Sequence, residues 1–294
     1  MSSGHPSGII ISQQVRSMKR FISSRCVAQA CVLIVHLVVA SGGLWAAESH
    51  EFDSDGVKIH YTDEGQGPPV ILVHGYRANG ELNWRIPGTI RLLKDHYRVI
   101  TLDNRGHGKS DKPEDVESYG LKMVDDVVRL MDHLKLKDAH VVGYSMGGLI
   151  TFKLAAQHPQ RVRSAVIGGM GWLEPQSGDV KKLQERLAEI KSKPMASCLR
   201  GFNALGLTRD EVKAVKVPLI VIVGTDDGLR ESRVTPLEEV RPDIPVLLIP
   251  KATHVSCIFN PTFREGIKKF LDEQSASDEE AASSSDVPSS DVAP

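Results

Sequence analysis

The stretch that most limits what this chain can become is Val141-Val142-Gly143-Tyr144-Ser145-Met146-Gly147-Gly148-Leu149-Ile150. The run from His140 to Tyr144 has strand character, and Met146 to Gln157 has helical character. Between them sits Gly-x-Ser-x-Gly. That five-residue pattern is a weak signal alone, but a strand before it and a helix after it make the context of a nucleophile elbow. Such a turn forces Ser145 into a strained backbone conformation, and a side chain at 143 or 147 would collide with the neighbouring strand or helix. It exposes the hydroxyl at the carboxyl edge of a sheet. It also places it at a helix N-terminus, where unpaired N–H groups and the dipole favour negative charge.

Strand-like and helix-like runs alternate around this turn. Val57, Ile59 and Tyr61 alternate with polar residues as a half-exposed strand does. Pro69 to Val73 is a continuous apolar run, the signature of a strand covered on both faces; Tyr97 to Leu102 reads as the next buried strand, and Val162 to Ile167, Val217 to Val223 and Val246 to Ile249 read as further strands. Helices are expected near Asn83 to Lys94, from Leu121 to Leu134 and from Pro261 to Leu271. This alternation predicts a mostly parallel α/β sheet with its ligands at the carboxyl edge. Residues 173–216 break the rhythm with a polar helical stretch near Val180 to Lys191 and no strand-like run, and read as a short helical lid over that edge.

The two ends read differently. Residues 1–47 contain no acidic residue, and Arg16, Lys19, Arg20 and Arg25 precede an apolar run from Val27 to Ala40 and a small-residue exit. That is the pattern of a secretory signal peptide, with Met18 as an alternative start and an uncleaved anchor as the minority reading. It implies a secreted or periplasmic protein without a stable membrane span once mature. Residues 272–294 carry seven acidic residues and no basic ones among Ser, Ala and Pro, and read as a disordered acidic tail. The domain between, 48–271, is long enough for one α/β core. A net charge of −1 gives no pointer to nucleic acid. After cleavage only Cys198 and Cys257 remain, enough for one disulfide but not for a framework.

A serine hydroxyl is a poor nucleophile at neutral pH and needs a base within hydrogen-bond reach. His254 follows the last strand-like run by a few residues and would lie on a loop at the same edge. An orienting carboxylate must hold its tautomer. Asp226 and Asp227 directly follow the preceding run, and Ser145, Asp227, His254 have the chain order expected of the elbow motif. Two donors must face the developing oxyanion. Met146 N–H is one, and Tyr76 N–H, from the exit loop His74-Gly75-Tyr76, is the other. His74 itself reads as packing beneath that loop. Tyr144, Met146, Trp172 and Phe202 suit a partly apolar acyl site and ordinary core equally well.

With His74-Gly75, Asp103-x-Arg105-Gly106-x-Gly108-x-Ser110, Gly143-Tyr144-Ser145-Met146-Gly147-Gly148, Gly224-x-x-Asp227 and His254 in this order, the chain resembles the α/β-hydrolase fold superfamily, in its lid-bearing lipase- and esterase-like branch. The resemblance implies a mostly parallel eight-stranded sheet flanked by helices. It selects Asp227 over Asp226, and it gives the Asp103–Ser110 loop a structural rather than a catalytic role. It implies a serine hydrolase that cleaves a carboxylic ester of a small-molecule acyl substrate through an acyl-serine, with no metal or organic cofactor. Thioesterase, lactonase, carbon–carbon hydrolase, amide and cofactor-free perhydrolase chemistry share the triad, and a non-catalytic small-molecule-binding protein on the same scaffold is the alternative of a different class. A serine at the nucleophile position disfavours the aspartate-nucleophile relatives, haloalkane dehalogenases and epoxide hydrolases.

Overall fold

The computed structural model describes residues 48–175, 185, 187 and 190–285, with 278–285 described by backbone only. The segment read as a signal peptide and most of the polar helical stretch near Val180 to Lys191 lie outside these residues.

Eight strands form one sheet: β1 (Glu48–Ser54), β2 (Val57–Glu64), β3 (Pro69–Val73), β4 (Arg98–Leu102), β5 (Ala139–Tyr144), β6 (Val162–Gly168), β7 (Leu219–Gly224) and β8 (Val246–Ile249). Their order across the sheet is β1-β2-β4-β3-β5-β6-β7-β8. β1 pairs antiparallel with β2, and β2 antiparallel with β4, while every pairing from β4 through β8 is parallel. The α-helices among the described residues are α1 (Thr89–Leu93), α2 (Leu121–His133), α3 (Met146–Gln157), α4 (Lys193–Gly201), α5 (Arg209–Ala214), α6 (Thr235–Val240) and α7 (Pro261–Ser285).

The apolar runs feed two cores because side chains alternate across a strand. From β3, Ile71 and Val73 join Met123, Val127, Leu149 and Ile150 on one face. Val70 and Leu72 join Ile90, Phe263 and Ile267 on the other. All six residues of β5 are buried, so the strand leading to Ser145 lies at the middle of the sheet. The helix that follows is buried from Met146 to Ala155, which fixes the elbow between two packed elements.

Three places depart from the sequence reading. The expected helix from Asn83 to Lys94 is split into a wide turn at Glu81–Arg85 and α1, because Pro87 supplies no N–H and Gly88 sits at φ 86°. α7 continues beyond Leu271 to Ser285, so 272–285 of the stretch expected as a disordered tail is helical, and 286–294 lie outside the described residues. Contacts near the start of the extension hold it. Tyr97 donates to Asp272 at 2.8 Å, Lys268 pairs with Asp272 at 2.6 Å, and Ser275 meets His140 at 3.3 Å. Finally, Cys198 and Cys257 are buried free thiols, so the bridge the sequence allows is not formed.

Arg105 and Asp126 form a buried ion pair, 2 % and 0 % exposed, that ties the β4 exit loop to α2. Arg105 Nε and Nη2 donate to the two carboxylate oxygens at 2.7 and 2.6 Å, Arg105 Nη1 donates to Ser118 O at 2.9 Å, and Ser54 Oγ donates to Asp126 at 2.5 Å. Breaking a buried pair leaves an uncompensated charge, so Asp126→Asn should cost about 3–5 kcal/mol. For a domain of this size that lowers Tm by about 6–20 °C. A thermal melt unchanged by the substitution would refute the pair's role.

Candidate active site

The chain leaves β5 into a turn that a Cβ would jam on either side of the serine. A Cβ at Gly143 would overlap the carbonyl of Gly147, and one at Gly147 would overlap the carbonyl of Val73. Ser145 itself sits at φ 55°, ψ −114°, a conformation that an L-residue adopts only when its surroundings impose it. Its N–H is held by Gly168 O at 2.8 Å, on the end of the neighbouring strand β6. The hydroxyl is thereby presented above the sheet at the start of α3.

His254 lies on the loop after β8. Its Nε2 is 2.9 Å from Ser145 Oγ, and its Nδ1 is 2.8 Å from Asp227 Oδ2. An ionised carboxylate only accepts, so Nδ1 carries the proton and Nε2 is left to accept from the serine hydroxyl. Asp227 follows β7 and is 4 % exposed; its other oxygen accepts from Leu229 N–H at 2.9 Å. Asp226, the neighbour, is exposed and takes a hydrogen bond from Thr225 Oγ1 at 2.9 Å. The end of β7 comes so close to the His254 loop that a Cβ at Gly224 would overlap Ala252 O, which accounts for the glycine there. The structure therefore brings Ser145, His254 and Asp227 together at the ends of β5, β8 and β7, and leaves Asp226 outside.

The exit loop of β3 flanks the serine. A Cβ placed on Gly75 would stand 3.2 Å from Ser145 Cβ, and Gly75 N–H is fixed by Asn83 Oδ1 at 2.8 Å. Tyr76 is the next residue, and Met146 is the first residue of α3, whose first-turn N–H groups have no acceptor within the helix. His74 is fully buried. Its Nδ1 donates to Gly75 O at 2.7 Å and its Nε2 accepts from Asn104 N–H at 2.9 Å, so both nitrogens are committed to backbone. Burial holds its pKa below the usual histidine range. His107 packs edge-on against it at 5.2 Å, and burial, with His74 adding to it, pushes the His107 pKa down to about 3. Both rings are neutral parts of the scaffold at physiological pH.

A cleft of about 840 Å³ opens over Ser145 and His254. Leu149, Met170, Met195, Leu199, Phe202 and Leu229 make much of its apolar wall. Of the four residues weighed for an acyl site, Phe202 lines this cleft, while Tyr144, Met146 and Trp172 are 4 %, 0 % and 5 % exposed. Tyr144 has a task that sequence reasoning missed. It packs beneath His254 and donates its hydroxyl to His254 O at 2.5 Å, holding the loop that carries the imidazole. Asn83, which pins Gly75, was also missed; nothing in its local sequence marks it.

The fold and this arrangement define an α/β protein with a serine in a positive-φ turn between a strand and a helix, and several known proteins are similar to this chain. The sequence profile described as alpha/beta hydrolase fold matches residues 68–190. A cis-3-alkyl-4-alkyloxetan-2-one decarboxylase of Shewanella oneidensis is 33 % identical over 191 residues, covering 64 % of this chain and 57 % of the relative. Haloalkane dehalogenase 2 of Mycobacterium bovis is 35 % identical over 136 residues, covering 45 % of each chain. The chain thus spans about half the length of these two relatives. A carboxylesterase structure from Nitrososphaera gargenis superposes with a TM-score of 0.65 at 22 % identity, over 78 % of this chain and all of that one, a likeness of fold. The chain has the α/β-hydrolase fold. No helix among the described residues is long and apolar enough to cross a membrane.

Proposed function

We propose that this protein is an exported serine hydrolase that cleaves a carboxylic ester through an acyl-serine intermediate. One observation carries the reading: the unbroken hydrogen-bonded line from the Ser145 hydroxyl through His254 to the buried Asp227, at a serine held in a positive-φ turn. His254 takes the hydroxyl proton as the oxygen attacks the acyl carbon, and Asp227 stabilises the imidazolium. The N–H groups of Tyr76 and Met146 hold the tetrahedral oxyanion. His254 then protonates the leaving alkoxide, and water activated by His254 releases the acid. The chemistry requires neither metal nor organic cofactor. Export rests on the basic and apolar pattern of residues 1–47.

The apolar wall over Ser145 supports an acyl chain as the buried part of the substrate. Each methylene buried there is worth about 0.8 kcal/mol, so kcat/KM should rise with acyl length until the cleft is filled. In a panel of p-nitrophenyl esters, with a thioester, a lactone and an anilide alongside, short to medium acyl esters are expected to turn over fastest. Cleavage of the anilide alone would overturn the ester assignment.

A further inference from the structure

Both proposed oxyanion donors belong to residues whose side chains reach the same helix. The Tyr76 hydroxyl donates to Met195 O on α4 at 2.9 Å. Its ring meets Phe202, just beyond that helix, edge-on at 5.7 Å, and His107 on another side at 5.9 Å. Met146 Sδ lies 3.7 Å from Cys198 Sγ, also on α4 and fully buried. The two donors come from opposite sides of the nucleophile, one from the β3 exit loop and one from α3. Nothing in the elbow motif requires them to share a support.

The helix itself is anchored independently of these contacts. Ser197 Oγ donates to Glu114 O at 2.6 Å. Gly201 runs so close to Gly120 that a Cβ there would lie 2.6 Å from the Gly120 nitrogen. Beyond the helix, Lys153 Nζ donates to Gly206 O at 3.0 Å and Trp172 Nε1 to Leu207 O at 2.6 Å. A segment fixed at so many points serves as a reference frame and not only as a cover.

We propose that α4 is part of the oxyanion hole's frame, with the Tyr76 hydroxyl as a positioning group that sets the Tyr76 N–H against the oxyanion, and the Met146–Cys198 contact as its counterpart on the other donor. This rests on the serine-hydrolase reading above. Donors stabilise the transition state only if they are already aimed where charge develops, and small displacements are expensive: about 1 Å of misplacement can cost a hundredfold in rate. Tyr76→Phe removes the hydroxyl and leaves the backbone donor and the ring in place. It therefore loosens the aim without deleting the donor, and the expected loss is about tenfold.

The test compares wild type, Tyr76→Phe and Cys198→Ala on one p-nitrophenyl ester, with inhibition by a trifluoromethyl ketone of the same chain length. That ketone adds the serine oxygen and places its own oxyanion in the hole, so its affinity follows transition-state stabilisation. For Tyr76→Phe we expect kcat to fall about tenfold, KM to stay within about twofold, and the ketone's inhibition constant to rise in step with the loss in kcat. Cys198→Ala should show the same split with a smaller loss, and it decides the matter if Tyr76→Phe does not fold. Values of kcat and inhibition constant within twofold of wild type would overturn the proposal, as would a rise in KM alone. If wild type itself neither turns over esters nor binds the ketone, the serine-hydrolase reading has failed, and this inference fails with it.

Discussion

Ser145→Ala should abolish ester turnover, with a loss in kcat of about a millionfold, and should abolish labelling by a fluorophosphonate probe. The size follows from how the three groups act. Without the hydroxyl there is no covalent route, and His254 and Asp227 have nothing to activate. What survives is the contribution of the oxyanion donors and of binding, about 10³–10⁴ over the reaction in water. The same logic makes the losses non-additive. His254→Ala should fall to nearly the same floor, and the double variant should be no worse than either alone. The hydroxyl lies 2.9 Å from the imidazole and is partly open to the cleft, so both the assay and the probe reach it. A folded wild-type protein that takes up no probe would favour the binding-protein alternative. Stoichiometric labelling that persists in Ser145→Ala would place the nucleophile elsewhere.

Much of the site was legible because a parallel sheet gathers strand ends. Short apolar runs announce β5, β7 and β8, and Ser145, Asp227 and His254 stand at or within a few residues of their carboxyl ends. Parallel pairing then brings together groups 109 and 27 positions apart in the chain. The glycines were legible for the same reason, since close approach leaves no room for a Cβ at 143, 147 or 224. Other features leave no such mark. β1 is an edge strand of mixed exposure, and only Asp55-Gly56, at φ 60° and 80°, hints at its hairpin. The split at Pro87-Gly88 had a local signal in those two residues, which the expected helix from Asn83 to Lys94 passed over. The extension of α7 depends on Tyr97, Lys268 and His140 meeting residues 272 and 275, and two of those three lie far away in the chain. The cleft wall is set by tertiary placement: Tyr144 and Phe202 look alike in sequence, yet one supports the histidine loop from below and the other faces the cleft.

Asp227→Asn should lower kcat by about 10⁴ without unfolding the protein, whereas Asp226→Asn should leave activity within about twofold. The argument is one of tautomers. Asp227 Oδ1 accepts from Leu229 N–H and Oδ2 accepts from His254 Nδ1–H. An asparagine keeps one acceptor, and the backbone N–H of Leu229 claims it. The amide NH₂ then faces Nδ1, which must present a lone pair, so the ring proton moves to Nε2. The imidazole becomes a donor toward Ser145 and can no longer take its proton, although all three side chains stay in place. Asp226 is exposed, and its contact is Thr225 Oγ1, so its amide alters only a solvated turn. The two variants differ by one position and share the same chemical change. A large loss at 226 with near-normal activity at 227 would move the acid by one residue and would contradict the hydrogen bond that orients His254.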